Sequence, residues 1–161
     1  MSQSSIPIKE VQFENATFLP ELVKMMDEGH TVTLRLKGFS MRPFLEDNRD
    51  KALLTKAKAI HKGDAVLAEV SPRHYVLHRI IKIDGDDVTL RGDGNIAIEQ
   101  CKISDVKGFA IGFYRKGRTH LDQTDGTKWK VYSFVWVHLY PVRRYLLAAY
   151  RRIWLRFFKP I

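Results

Sequence analysis

Cysteine is almost missing from this chain. A single one, Cys101, stands among 161 residues, which excludes a disulfide framework and a thiolate zinc centre and fits a reducing compartment. Long apolar runs are missing too: no stretch of 18 or more residues is apolar and free of charge, so no membrane-spanning helix is expected. Residues 1–10 lack the basic stretch and following apolar run of a secretory signal, and the expected location is therefore cytoplasmic. No phosphate-binding loop, dinucleotide fingerprint, internal repeat or low-complexity segment occurs. Metal ligation is not expected, because His74 and His78, four apart on a strand, would lie roughly 13 Å from each other. No cofactor is called for.

Acidic residues are missing from one region only. Between Thr127 and Ile161 stand eight basic residues (Lys128, Lys130, Arg143, Arg144, Arg151, Arg152, Arg156, Lys159) and no Asp or Glu. Eight of the nine formal positive charges reside there, while residues 1–126 are close to neutral. Such an asymmetry points to an anionic partner for the tail.

What is present reads as a mainly-β chain. A short helix is expected over 17–28, with Leu19, Leu22, Val23 and Met26 at helical spacing and Gly29 closing it. Alternating patterns predict strands over 30–37, 50–55, 65–70, 75–84, 88–91 and 106–115, with a hairpin at Asp84–Asp87. The organisation expected is an N-terminal extension (1–30), a β-rich domain (31–115), a polar linker (116–128) and a basic C-terminal segment (129–161). In that last segment Val142, Tyr145, Leu146, Ala149, Tyr150, Ile153, Trp154 and Phe157 follow a 3.6-residue period, with arginines on the remaining face. An interfacial membrane helix presents this composition, and Arg143, Arg144, Arg151, Arg152, Trp154 and Arg156 are its expected contacts. The alternative is that the helix packs on its own domain. Nucleic acid is disfavoured, since a tail so aromatic on one face does not suit pure phosphate contact.

Chemistry concentrates between Gly38 and Glu99, in four short boxes. Gly38-Phe39-Ser40-Met41-Arg42-Pro43 sets a serine on a tight turn beside backbone N–H groups. Lys62-Gly63-Asp64-Ala65-Val66-Leu67 leads into a core strand. Tyr75-Val76-Leu77-His78-Arg79-Ile80 places a histidine in mid-strand. Arg91-Gly92-Asp93-Gly94-Asn95 offers a carboxylate in a turn. A serine hydroxyl becomes a nucleophile when a neighbouring base takes its proton, and an acidic group can fix the tautomer of that base.

In this order the boxes resemble the superfamily that holds type I signal peptidases and LexA-like repressor peptidases. Ser40-Met41-Arg42-Pro43 matches its nucleophile element. His78-Arg79 matches the branch, endoplasmic-reticulum and archaeal-like, that uses a histidine base rather than lysine. The resemblance covers roughly residues 31–115. It implies a LexA/signal-peptidase-like β-barrel-type core and a serine endopeptidase acting on a leader or signal-like peptide bound in extended form. Ser40 is then the nucleophile, His78 the base, and Asp93 or Glu99 the third member, with Asp93 ranked ahead because its box is intact. Arg79 is expected to be a structural ion-pair partner. The chain departs from the family in carrying Ile98-Glu99 where the histidine branch has an Asp-Asp pair. No N-terminal membrane helix is seen, and Gly38 stands where some members place an oxyanion-hole hydroxyl. The alternatives are a non-catalytic relative that binds a membrane or partner, and a LexA-like self-cleaving regulator. The latter is disfavoured by the absence of any Ala-Gly or Cys-Gly bond and by an N-terminus too short for a helix-turn-helix.

Overall fold

The computed structural model describes residues 15–57 and 59–161, so the start of the expected 1–30 extension lies outside the described residues. Eight strands form one antiparallel sheet: β1 (Val32–Arg35), β2 (Lys51–Thr55), β3 (Ala65–Ser71), β4 (His74–Asp84), β5 (Asp87–Arg91), β6 (Glu99–Lys102), β7 (Val106–Tyr114) and β8 (Leu121–Gln123). Their order is β1-β2-β7-β3-β4-β5-β6, with β8 also on β7. The mainly-β expectation is met. Helix α1 (Asn15–Asp27) lays Leu19, Leu22 and Met26 against the sheet, the inward stripe expected from their spacing.

Two apolar clusters hold the sheet. One gathers Leu19, Leu22 and Met26 with Met41, Phe44, Leu45, Leu54, Phe113 and Trp129. The other joins Val66, Ala68, Ile80, Val88, Leu90 and Cys101. Cys101 is a buried free thiol whose pKa burial raises, which suits packing rather than reactivity. The sheet partners change along β4: its first half pairs β3 from Ser71↔His74 to Ala65↔Arg79, and β5 joins its other edge only from Arg79 onward. Among the described residues, the edge of β4 that faces away from β3 over residues 74–78 therefore has no strand beside it, and β1, at the end of the sheet, pairs with a strand on one side only.

The C-terminal segment differs from the expected linker and single amphipathic helix. The 116–128 stretch contains β8, paired to β7 through Gly112↔Gln123, Phe113↔Asp122 and Tyr114↔Leu121. Helices α2 (Thr127–His138) and α3 (Tyr140–Ala149) follow, then a π-helical turn (Tyr150–Trp154) and a last turn, α4 (Leu155–Phe157). Trp129, Ser133 and Trp136 of α2 and Arg143, Leu147 and Tyr150 beyond it are buried. These positions recur at intervals of three, four and seven, so one face of the whole segment packs on the domain. Arg143, expected at a membrane surface, is instead 2% exposed. Its guanidinium lies 5.1 Å from the Trp136 ring centroid and donates to the Trp136 carbonyl. The long aliphatic stem and planar head of arginine allow that burial on an aromatic face.

Candidate active site

Ser40 follows β1 on a turn whose shape is fixed from several sides. Gly38 takes φ +87°, a region that disfavours a side chain, and its N–H donates to Asp47 Oδ1 at 2.7 Å. Arg42 N–H returns to Phe39 O, and the Gly94 N–H donates to Ser40 O at 2.7 Å. Met41 and Leu45 anchor the turn in the core. Below it the Asp50 carboxylate, fully buried, accepts from the N–H groups of Glu46 and Lys116 and from the Arg49 guanidinium. The Gly38 N–H is thus spent on Asp47, whereas the Ser40 N–H makes no hydrogen bond among the described residues.

His78 sits in β4 at 3% exposure. Its Nδ1 is 2.9 Å from Glu99 Oε2, and a proton on Nδ1 donated to that carboxylate leaves Nε2 as the free acceptor. Nε2 points to the Gly92 turn: a Cβ added at Gly92 would stand 3.0 Å from it and inside contact distance of the Ser40 carbonyl oxygen. Gly92 therefore lets the two catalytic candidates approach the same spot. The Ser40 hydroxyl and His78 line one cleft without a hydrogen bond between them among the described residues; such pairs often tighten only around substrate. Burial pushes the His78 pKa below its ordinary 6.5, and the adjoining Glu99, which pulls the other way, does not cancel it. Burial thus favours the neutral imidazole, the state a base requires.

The two candidate acids are separated by the strand period. Neighbouring side chains on β4 point to opposite faces, so His78 and Arg79 look apart. Glu99 opens β6, opposite Leu90 of β5, and meets His78. Asp93 meets Arg79: Oδ1 accepts from Nε at 2.8 Å and Oδ2 from Nη2 at 2.7 Å, with both side chains 1% exposed. The ranking of Asp93 ahead of Glu99 as the His78 partner is corrected here, since its carboxylate is already committed to the arginine. Burial opposes the Arg79 charge, and Asp93 more than compensates, holding the pKa above the usual arginine value.

Helix α2 completes this inner network, a part that sequence reading missed. The Tyr132 hydroxyl donates to Asp93 Oδ2 at 3.0 Å, Trp136 Nε1 donates to Asp93 O at 3.0 Å, and Arg79 Nη1 donates to Ser133 Oγ. The Arg79 guanidinium also lies 4.7 Å from the Trp129 ring centroid. Arg151, beyond α3, donates to Gly94 O at 2.9 Å. The signal was the spacing of Trp129, Tyr132, Ser133 and Trp136, which marks one helical face ahead of the periodic run that begins at Val142. Of the remaining expected membrane contacts, Arg144, Arg151, Arg152, Trp154 and Arg156 are exposed.

The cleft has a volume of about 320 Å³. Ser40, His78, Asn95 and Glu99 are among its polar groups, together with the charged Arg35, Lys37 and Glu46, and Leu34, Leu36, Met41, Leu45, Leu67 and Leu77 are among its apolar walls. It runs between the open edge of β1 and the half of β4 that lacks β5. No protein-family model and no curated protein matches the chain.

Proposed function

We propose that the chain is a serine endopeptidase with a LexA/signal-peptidase-like β-barrel-type core, working through Ser40, His78 and Glu99. The observation that carries this reading is the buried His78, held by Glu99 on one nitrogen and turning the other toward Gly92, against which the Ser40 carbonyl oxygen also lies. Ser40 Oγ attacks the scissile carbonyl while Nε2 of His78 takes its proton. The unbonded Ser40 N–H is the candidate donor to the resulting oxyanion. Collapse breaks the C–N bond, His78 returns the proton to the leaving amine, and a water repeats the sequence to free the acid. Glu99 holds the Nδ1–H tautomer and stabilises the imidazolium that forms.

The substrate fits as an extended peptide. The edge strand β1 and the first half of β4 border the cleft, and an added strand can pair with the β4 edge over residues 74–78, which has no strand beside it among the described residues, while its side chains enter apolar pockets. Arg79 and Asp93 serve the scaffold, since their charges neutralise each other beneath the site.

A fluorophosphonate probe tests the reading. Intact-mass and tryptic mass spectrometry should find one label, on Ser40, which His78→Ala reduces by about 10²-fold or more in rate. Labelling spread over several serines, or unaffected by His78→Ala, would refute it.

A further inference from the structure

We propose that the outward face of the α2–α4 segment docks on an anionic membrane surface, lying flat in its interface. The segment is apolar on two sides. Its inward side is accounted for by Trp129, Trp136, Leu147 and Tyr150. The opposite side carries Val131, Phe134 and Val135 on α2 and Val142, Tyr145 and Leu146 on α3, all exposed, with Phe134 at 65%. Ile153 and Phe157 are exposed further along the segment, Phe157 at 71%. Single exposed apolar residues are ordinary, but a stripe sustained over two helices and their terminal turns marks an interaction surface. No described residue covers it.

Charge selects the partner. The segment from Thr127 to Ile161 holds no acidic residue. Lys130, Arg144, Arg152 and Arg156 are exposed and have no acidic partner among the described residues. An apolar stripe with aromatic side chains, flanked by arginines, is the composition of helices that rest at the headgroup boundary of anionic lipid. No helix of the described residues is long and apolar enough to cross a bilayer, which leaves the flat orientation for this face. The face differs from a simple division into aromatic and arginine sides: Arg143 and Tyr150 turn inward with the core. Arg151 also leaves the lipid side, its head group fastened to Gly94 O.

Sedimentation of the full chain with vesicles tests the proposal without any reading of peptidase activity. Phosphatidylcholine vesicles containing phosphatidylglycerol should pellet the protein, and vesicles of phosphatidylcholine alone should pellet much less. High salt should weaken the binding, because the flanking charges are screened within about 10 Å at 0.1 M. Arg152→Glu with Arg156→Glu should lower partition by about 25-fold or more, each basic residue near such a leaflet being worth on the order of fivefold. Phe134→Glu with Phe157→Glu should release the protein at unchanged net arginine content. Should that pair disturb folding by circular dichroism, Phe134→Ser with Phe157→Ser carries the same expectation. Equal pelleting with neutral vesicles, full binding by the variants, or no binding at low salt would overturn the proposal. So would a dimer in solution that the Phe134 and Phe157 changes dissociate while vesicles are ignored, since a second copy would then be the occupant.

Discussion

Asn in place of Asp93 and Gln in place of Glu99 should do opposite things, although both remove one carboxylate near the same histidine. Asp93 forms a bidentate, fully buried pair with Arg79 and accepts the Tyr132 hydroxyl as well. In Asp93→Asn the Arg79 charge stays buried without its counter-charge, a change that costs about 3–5 kcal/mol. For a chain of this size that is a fall in Tm of about 6–20 °C. Glu99 is about a quarter exposed in its side chain and touches the catalytic candidate instead. Glu99→Gln should leave Tm within a few degrees and lower turnover by about 10²-fold, at the lower end of what a positioned acid–base pair supplies. It should also move the acidic limb of the rate profile further down in pH, because Glu99 raises the His78 pKa and its charge would be gone. Calorimetry and a pH–rate series on the purified variants read both effects. If Asp93→Asn abolishes turnover at unchanged Tm while Glu99→Gln keeps the wild-type rate and profile, the assignment of the two acids is wrong.

Gly92→Ala should cut activity by at least about 10²-fold, since a Cβ there invades the space shared by Ser40 O and His78 Nε2 and displaces one of them; kinetics beside a thermal melt would show it. Tyr132→Phe removes one hydrogen bond to the buried Asp93 carboxylate, so unfolding free energy should fall by about 1.5–3 kcal/mol, measured in denaturant. The pH dependence has a definite sign. His78 has a folded pKa below 6.5, so as pH falls the unfolded chain binds the proton first. Its contribution to stability is complete above 6.5 and is lost as pH falls from there through the folded pKa. The activity should likewise persist below pH 6.5 before it drops, and a His78→Gln protein should lack that part of the stability loss.

Most of the sheet was legible because its strands alternate cleanly and are closed by turn residues. The strands expected over 50–55, 65–70, 75–84, 88–91 and 106–115 fall within a residue or two of β2, β3, β4, β5 and β7. β6 and β8 were missed: Glu-Gln-Cys-Lys and Leu-Asp-Gln are three or four residues long with one apolar side chain each, and pairing rather than pattern makes them strands. That omission bears on the site, because β6 is what delivers Glu99 to His78. The Asp93 expectation failed for a related reason. An intact turn motif says where a carboxylate is in the chain, but the alternation of His78 and Arg79 across β4 decides which of them it meets. Helix α2 was hidden by being apolar on both faces, which erases the contrast on which periodicity depends. For the tail, the count of basic residues was plain, yet which side turned inward depended on Trp136 offering Arg143 an aromatic surface.

The central claim is that Ser40 cuts peptides. A proteome-derived peptide library, incubated with the wild-type protein and with Ser40→Ala prepared in parallel and read by mass spectrometry, tests it most directly. The account predicts new internal termini with the wild type, with extended residues on both sides of the cut, and none with Ser40→Ala, whose melting should match the wild type within about 0.5 kcal/mol. The same termini at the same rate from both proteins, or none from either, would contradict it.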